Sequence, residues 1–135
     1  MQLIKIYIAA PFDQKERVRS IAADFHTKER FRVTSRWYTL AEPYPEEFIC
    51  AGMDLVDIDE ADVVLFLADN GPSTQGGMYV ELGYALATKP GRVIWVGEKT
   101  NVFTYVKSIA HYNDFSIKTE VMIKNRIYSM AEGGR

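Results

Sequence analysis

The sequence predicts a doubly wound α/β domain, and three features of its pattern support this. Short β-rich runs alternate with amphipathic helical patterns along the 135 residues. The run 63–68 is continuously apolar, as is typical of a parallel strand covered on both faces. No repeat or linker interrupts the alternation. We therefore expect one domain, 1–135, with a five-stranded parallel sheet in the flavodoxin-like order 2-1-3-4-5 and helices on both faces.

The first half of the chain predicts two strands and two helices. A strand over 3–10 ends at Pro11, and Asp13 is a candidate N-cap for a helix over 13–30. In this helix, apolar side chains recur at the spacing of one helical face, namely Val18, Ile21, Ala22 and Phe25. The next predictions are a strand over 31–38 and, after two prolines, a helix over 45–60.

The second half continues the alternation. A loop rich in turn-forming residues, 69–77, separates the buried strand 63–68 from the next helix. The remaining elements are predicted as a helix over 78–88, a strand over 92–97, a weak strand over 111–115, a helix over 117–131 and a frayed tail over 132–135.

Composition narrows the classes of partner. Sixteen basic against eighteen acidic side chains give a net charge of −2, so no overall field attracts a nucleic acid polymer or an anionic membrane. Cys50 has no partner for an intrachain disulfide, and His26 and His111 lie far apart in the sequence. We expect a small-molecule ligand, neutral or singly anionic, with no metal or cofactor, and a cytoplasmic location.

Glu81 is the most informative candidate for chemistry. It lies in the run Gly76 to Ala85, of the form GG-x-x-x-E-x-G-x-A, where a loop after a buried strand becomes a helix. In the predicted strand order this edge of the sheet faces the crevice that receives ligands. A carboxylate in an opening helical turn is favoured by the helix dipole, which predicts an ionised nucleophile. The alternative is that Glu81 has no catalytic role and is an ordinary acid in the first turn of a helix, where it complements the helix dipole.

The glycines around Glu81 favour the catalytic interpretation. Gly76 and Gly77 allow a ligand to approach the backbone closely, and Gly83 with Ala85 allows the helix to pack tightly on the sheet.

Three further groups are candidates for the same crevice. Asp69 ends the buried strand, where a carboxylate can bind sugar hydroxyls or give a proton to a leaving base, although Asp-Asn-Gly-Pro is also ordinary turn chemistry. Asp54 lies among five acids, most of which we expect on a solvated helix face. Tyr7 can orient a catalytic carboxylate, but a tyrosine in an apolar strand is more often part of the core.

Binding residues are suggested at two places. The loop 73–77, with Ser73, Gly76 and Gly77, precedes a helix and can hold a phosphate or a sugar hydroxyl, although it matches neither a Walker loop nor a dinucleotide fingerprint. Arg36 and Trp37 can bind phosphate and stack on a base, or can belong to an edge strand with aromatic packing.

The chain resembles the nucleoside 2-deoxyribosyltransferases and their relatives, the 2'-deoxynucleoside 5'-monophosphate N-hydrolases. The similarity covers most of the chain in order, with the segment around Glu81 the most specific. It is carried by Tyr7 to Phe12, Asp54-Leu55, Asp62 to Asp69 and Gly77 to Ala85.

The resemblance implies a mechanism and an assembly. Glu81 would attack C1' of a deoxyribose, Tyr7 would hold it, and Asp54 and Asp69 would act on base and sugar. Ala10 and Phe12 would line the substrate pocket, and the chain would form a homo-oligomer, a dimer or larger. The chain departs from the family pattern at Ala10, where glycine is usual, in a longer loop before Glu81 and in lacking an aromatic C-terminus.

The leading functional expectation is therefore transfer of the deoxyribosyl group of a 2'-deoxynucleoside to another base through a glutamyl–sugar intermediate. The alternative is hydrolysis of 2'-deoxynucleoside 5'-monophosphates. NAD base cleavage and a nucleotide-binding module without turnover remain open, because both would use the same crevice.

Overall fold

A computed structural model of the chain describes residues 2–71 and 76–133. Strands and helices alternate along it, with three short 3-10 segments between them. The strands are β1 (Ile4–Ala9), β2 (Phe31–Val33), β3 (Val63–Ala68), β4 (Val93–Gly97) and β5 (Ala110–Tyr112). The helices are α1 (Lys15–Lys28), α2 (Glu47–Glu60), α3 (Gly77–Thr88) and α4 (Ile117–Gly133).

The five strands form one parallel sheet in the order β2-β1-β3-β4-β5, which confirms the predicted flavodoxin-like fold. Ile8 is in register with Leu65, and Leu65 with Ile94. The order reverses between β1 and β3, so the carboxyl ends of these strands border the crevice that this fold uses for ligands. No helix in the described part of the chain is long and apolar enough to cross a membrane.

The helices cover the sheet in two pairs. On one side α4 reaches α1 through the Lys124 ammonium, which donates to Asp24 at 3.1 Å. In the other pair the Tyr84 hydroxyl of α3 donates to Asp59 of α2 at 2.6 Å. Every residue of β4 is buried, and only Ala68 of β3 is partly accessible, as expected for strands enclosed by helices.

The second strand is shorter than predicted, because side chains replace its backbone pairing. It ends at Val33, and the Ile8 amide of β1 then donates to the Ser35 hydroxyl at 2.9 Å. The Trp37 indole donates to the Ile8 carbonyl at 2.8 Å. With these backbone groups satisfied, the chain leaves the sheet and forms a 3-10 segment at Trp37–Thr39.

Three other boundaries also differ from the predictions. Asp13 is not the N-cap of α1, because it lies in a 3-10 segment, Phe12–Gln14, and α1 begins at Lys15. β5 ends at Tyr112, and the Phe115 amide beyond it donates to the Asp69 carboxylate rather than to a strand. α4 ends at Gly133, two residues beyond the predicted end of this helix at 131.

Candidate active site

A cavity of about 200 Å³ opens at the carboxyl end of β1, between α2 and α3. Its wall combines two acids, two aromatic rings and small backbone segments. The lining residues are Ala10, Pro11, Phe12, Trp37, Asp54, Gly77, Met78 and Glu81. Six of these were expected to be catalytic or substrate-binding, so the structure brings together Ala10, Phe12, Trp37, Asp54, Gly77 and Glu81.

Glu81 presents its carboxylate to this cavity from α3. It lies beyond the first turn of the helix, so the expected stabilisation of an ionised form by the helix dipole is weak. The pKa of Glu81 is raised to about 7, mainly by burial and in a smaller part by the nearby Asp54 carboxylate, while the Tyr7 hydroxyl opposes the increase. Desolvation therefore works against the ionised form of Glu81 that the helix dipole was expected to favour.

Tyr7 lies beneath Glu81 in the middle of β1 and is fully buried. Among residues 2–71 and 76–133, neither its hydroxyl nor Glu81 Oε2 has a hydrogen-bond partner. The two groups are close enough for the hydroxyl to lower the pKa of Glu81, but they do not meet full hydrogen-bond geometry. Burial raises the pKa of Tyr7 well above its ordinary value, so the hydroxyl remains a proton donor.

Asp54 reaches the same cavity from α2. Burial raises its pKa to about 6, and the neighbouring Asp57 adds to the increase while Arg36 opposes it. Two carboxyl groups with raised pKa values therefore share one cavity. Groups of this kind can hold and release a proton near neutral pH, as acid–base chemistry requires.

Arg36 does not line this cavity. Its side chain is half-exposed and forms an ion pair with the buried Asp57 at 2.8 Å, and its backbone amide also donates to Asp57. This contact anchors the segment that carries the neighbouring Trp37, whose ring lines the cavity. Asp57 is one of the five acids of which most were expected on a solvated helix face; it is buried and holds this segment in place.

Asp69 lies at the same edge of the sheet but outside the Glu81 cavity. Arg17 donates to both its oxygens, at 2.7 and 2.8 Å, and the Phe115 amide donates at 2.9 Å. Burial alone would raise the pKa of Asp69, but these donors hold it below its usual value. Asp69 borders a neighbouring cavity of about 280 Å³, together with Glu98 and Asn113. A catalytic role for Asp69 stays a prediction.

Two expected binding residues, Gly76 and Ser73, and one glycine with an expected packing role, Gly83, remain to be placed. Gly76 is the N-cap of α3 and lies next to the lining residue Gly77. Ser73 lies outside the described residues. Gly83 does not pack on the sheet as expected, because it faces outward while Ala85 is buried.

Several residues of this region were missed by sequence reasoning. Pro11 and Met78 line the cavity. Each is adjacent in the sequence to a residue that was predicted to bind substrate, and this adjacency was the available signal. The exposed Tyr44 packs edge-on against the lining residue Phe12, with ring centroids 5.6 Å apart. Arg17 holds Asp69. No pattern in the sequence identifies Tyr44 or Arg17, because both contacts depend on the tertiary fold.

The described side chains include no group of three or more His, Cys, Asp or Glu residues placed to hold a metal ion. Comparisons with protein-family models, with curated proteins and with solved structures give no significant match.

Proposed function

We propose that the chain cleaves the N-glycosidic bond of 2'-deoxynucleosides and passes the deoxyribosyl group to another base through a covalent intermediate on Glu81. The observation that carries this proposal is the shared cavity of Glu81 and Asp54, where burial raises both pKa values. The strand order supports it, because the cavity lies at the switch point of the sheet.

Glu81 is the proposed nucleophile. Its carboxylate oxygen forms a bond to C1' while the bond from C1' to the base nitrogen breaks, and the bonding electron pair leaves with the base. The Tyr7 hydroxyl remains protonated beneath Glu81, where it lowers the pKa of the carboxylate, and it is the proposed group that orients Glu81 during the reaction. A buried carboxylate with few hydrogen bonds is poorly solvated, and this favours attack on a developing oxocarbenium centre.

Asp54 is the proposed proton donor to the leaving base. Its pKa of about 6 keeps a fraction protonated near neutral pH. After the base leaves, an incoming base attacks C1' from the same side, loses its proton to Asp54 and regenerates the Glu81 carboxylate. The same sequence with water as acceptor is hydrolysis.

The aromatic wall supports recognition of a nucleobase. Phe12 and Trp37 both line the cavity, with ring centroids 6.3 Å apart and planes tilted by 43°. Trp37 is held by its hydrogen bond to the Ile8 carbonyl, so its ring is positioned before a ligand enters. Stacking on aromatic faces contributes about 1–3 kcal/mol per base.

The test compares wild type with Glu81→Gln on 2'-deoxynucleosides supplied with a second free base, and separately on 2'-deoxynucleoside 5'-monophosphates. We expect base release by wild type and a loss of about 10³-fold or more in kcat for Glu81→Gln, because an amide cannot act as the nucleophile. Chromatography distinguishes a new nucleoside from free sugar, and therefore transfer from hydrolysis.

Glu60→Gln is the matched control. Glu60 is exposed at the end of α2 and outside the cavity, so this variant should keep the wild-type rate. The proposal is contradicted if folded wild-type protein releases no base from any of these substrates, or if Glu81→Gln and Glu60→Gln have equal rates.

A further inference from the structure

Asp57 is a buried acid to which the proposed mechanism gives no part. It is 1% exposed, and three donors of a single residue, Arg36, hold its carboxylate. The Arg36 backbone amide donates to it at 3.1 Å, Nε donates at 3.0 Å, and Nη2 lies 2.8 Å from Oδ1. Asp57 does not line the Glu81 cavity, so any effect that it has on the reaction must act through its neighbours.

The first of these neighbours is Asp54, which precedes Asp57 by three residues in α2. At this spacing two side chains lie on one face of a helix, with Cβ atoms about 5–6 Å apart. Asp57 is buried and Asp54 is partly buried, so water screens the repulsion between their charges poorly. The charge of Asp57 therefore favours the protonated form of Asp54.

Three other groups interact with Asp54 from the elements packed around it. Glu81 of α3 shares its cavity, and Tyr7 of β1 lies beneath the two acids. Arg36, which follows β2, favours the ionised form of Asp54, but its effect on the pKa of Asp54 is smaller than that of Asp57. The ion pair of Arg36 and Asp57 as a whole therefore favours a proton on Asp54.

The second neighbour is Trp37, whose ring lines the cavity. Its position in the chain directly follows Arg36, and the Arg36 backbone amide is bound to the Asp57 carboxylate. The half-exposed Arg36 side chain also balances the charge of Asp57, which makes burial of this carboxylate affordable. One fixed carboxylate therefore contacts the segment that carries the aromatic wall and lies beside the proposed acid.

We propose that Asp57 is a positioning residue for the reaction, because its carboxylate keeps the proton on Asp54 and holds the backbone next to Trp37 in place. This inference rests on the proposed function, in which Asp54 gives that proton to the leaving base. The titration of Asp54 can nevertheless be measured in the free protein without any activity.

The first test follows the Asp54 carboxyl carbon by ¹³C NMR as the pH is varied, in wild type, Asp57→Asn and Asp59→Asn. Asp59→Asn is the matched control, because Asp59 is an exposed acid of the same helix and lies outside the cavity. We expect an apparent pKa near 6 for Asp54 in wild type and in the control. Asp57→Asn should lower this pKa by about one pH unit, because the negative neighbour is lost while the Arg36 charge remains.

The second test measures kcat and KM of the same three proteins for base release at pH 7. If the pKa of Asp54 falls by about one pH unit, about ten-fold less Asp54 is protonated at this pH, so kcat of Asp57→Asn should fall by about 10-fold. KM should stay within about two-fold of wild type, because the asparagine oxygen can still accept from the Arg36 amide and keep Trp37 in place. A residue that only stabilises the fold would not separate kcat from KM in this way.

Two variants of Arg36 decide the matter if Asp57→Asn does not fold. Arg36→Gln should raise the pKa of Asp54, which is the opposite of the effect of Asp57→Asn, and Arg36→Lys should restore the wild-type titration because it keeps the positive charge. Equal titrations of Asp54 in Arg36→Gln and Arg36→Lys would overturn the proposal. So would a folded Asp57→Asn variant in which Asp54 titrates as it does in Asp59→Asn.

The two tests separate this proposal from the proposed function. If Asp57→Asn lowers the pKa of Asp54 but wild type releases no base, the proposed function is contradicted, whereas the control of the Asp54 proton by Asp57 is supported. If wild type releases base but Asp57→Asn leaves the pKa of Asp54 unchanged, the role of Asp57 is contradicted and the proposed function is not.

Discussion

Glu81 has a costly environment for a carboxylate, and this cost is the basis of the proposed chemistry. It is largely removed from water, it lies near a second carboxyl group, and one of its oxygens has no hydrogen-bond partner among the described residues. A group that is expensive to ionise in the free protein gains from binding a positively charged transition state. An oxocarbenium-like sugar supplies such a charge.

The pH dependence of kcat/KM follows from the two carboxyl groups. The proposed reaction needs one proton on the pair, with Glu81 ionised and Asp54 protonated, so we expect a bell-shaped profile with apparent pKa values near 6 and 7. Because Glu81 has the higher pKa, the productive arrangement is the minor one of the two singly protonated forms. Initial rates between pH 4.5 and 9 measure this profile.

Asp54→Asn tests the assignment of the profile. It removes one titrating group, so the bell should become a single limb with a lower maximum. A profile that keeps both limbs in Asp54→Asn would contradict the assignment.

At the scale of the elements, close contact between the ends of β3 and β4 shapes the edge of the sheet. Gly97, the last residue of β4, has a φ of +128° and is in register with Ala68. A Cβ at this position would lie 2.5 Å from the Ala68 carbonyl oxygen. Only glycine fits, and the tight approach places Ala68 and Asp69 beside Gly97 at the second cavity.

Gly97→Ala should therefore destabilise the protein by about 3 kcal/mol or more, because backbone strain and a steric clash act together. Gly133→Ala is the control, since its backbone angle is ordinary and a Cβ there would meet nothing within 4 Å. Urea unfolding followed by circular dichroism measures both variants. Equal urea midpoints for the two variants would contradict this prediction, because they would show that the ends of β3 and β4 can move apart without a loss of stability.

The elements also show which parts of the site could be predicted from sequence. Alternating patterns predicted the strand order, and the strand order places the ends of β1 and β3 at one crevice. Glu81, Asp54 and Trp37 were expected at this crevice, and all three line the cavity there. Asp69 lies at the same edge but is bound by Arg17 from α1. A pattern of one strand or helix cannot reveal such a contact, because it depends on how distant elements pack.

The protonation of the site was beyond prediction for the same reason. The helix dipole can be inferred from sequence, and it favoured an ionised Glu81. Burial opposes ionisation and depends on distant elements coming together in three dimensions. The charge of Asp54 in α2 also raises the pKa of Glu81, whereas the hydroxyl of Tyr7 in β1 lowers it. The early end of β2 is similar, because it depends on Ser35 and Trp37 reaching the Ile8 backbone.

For the whole molecule, the two buried acids make stability depend on pH. Their pKa values in the folded protein, about 7 for Glu81 and about 6 for Asp54, exceed the ordinary values of 4.5 and 3.8. A raised pKa means that the folded state binds the proton more tightly. The resulting stabilisation is complete below the ordinary value and is lost as the pH rises through the folded value.

Glu81→Gln should isolate this effect. The amide cannot ionise, so the variant should gain stability relative to wild type as the pH rises from 4.5 to 8, by on the order of 2 kcal/mol in the free energy of unfolding. Urea titrations of both proteins at pH 4.5, 6 and 8 measure the difference. If the difference in the free energy of unfolding between the two proteins stays constant across this range, the prediction is contradicted, because burial would then not raise the pKa of Glu81.

The most direct test of the central claim is detection of the covalent intermediate. Wild-type protein is mixed with a 2'-deoxynucleoside, quenched in acid during turnover, digested and examined by mass spectrometry. We expect a mass gain of one deoxyribosyl group on the peptide that contains Glu81, and no gain in Glu81→Gln. Base release without any adduct, or an adduct on a different carboxylate, would contradict the account.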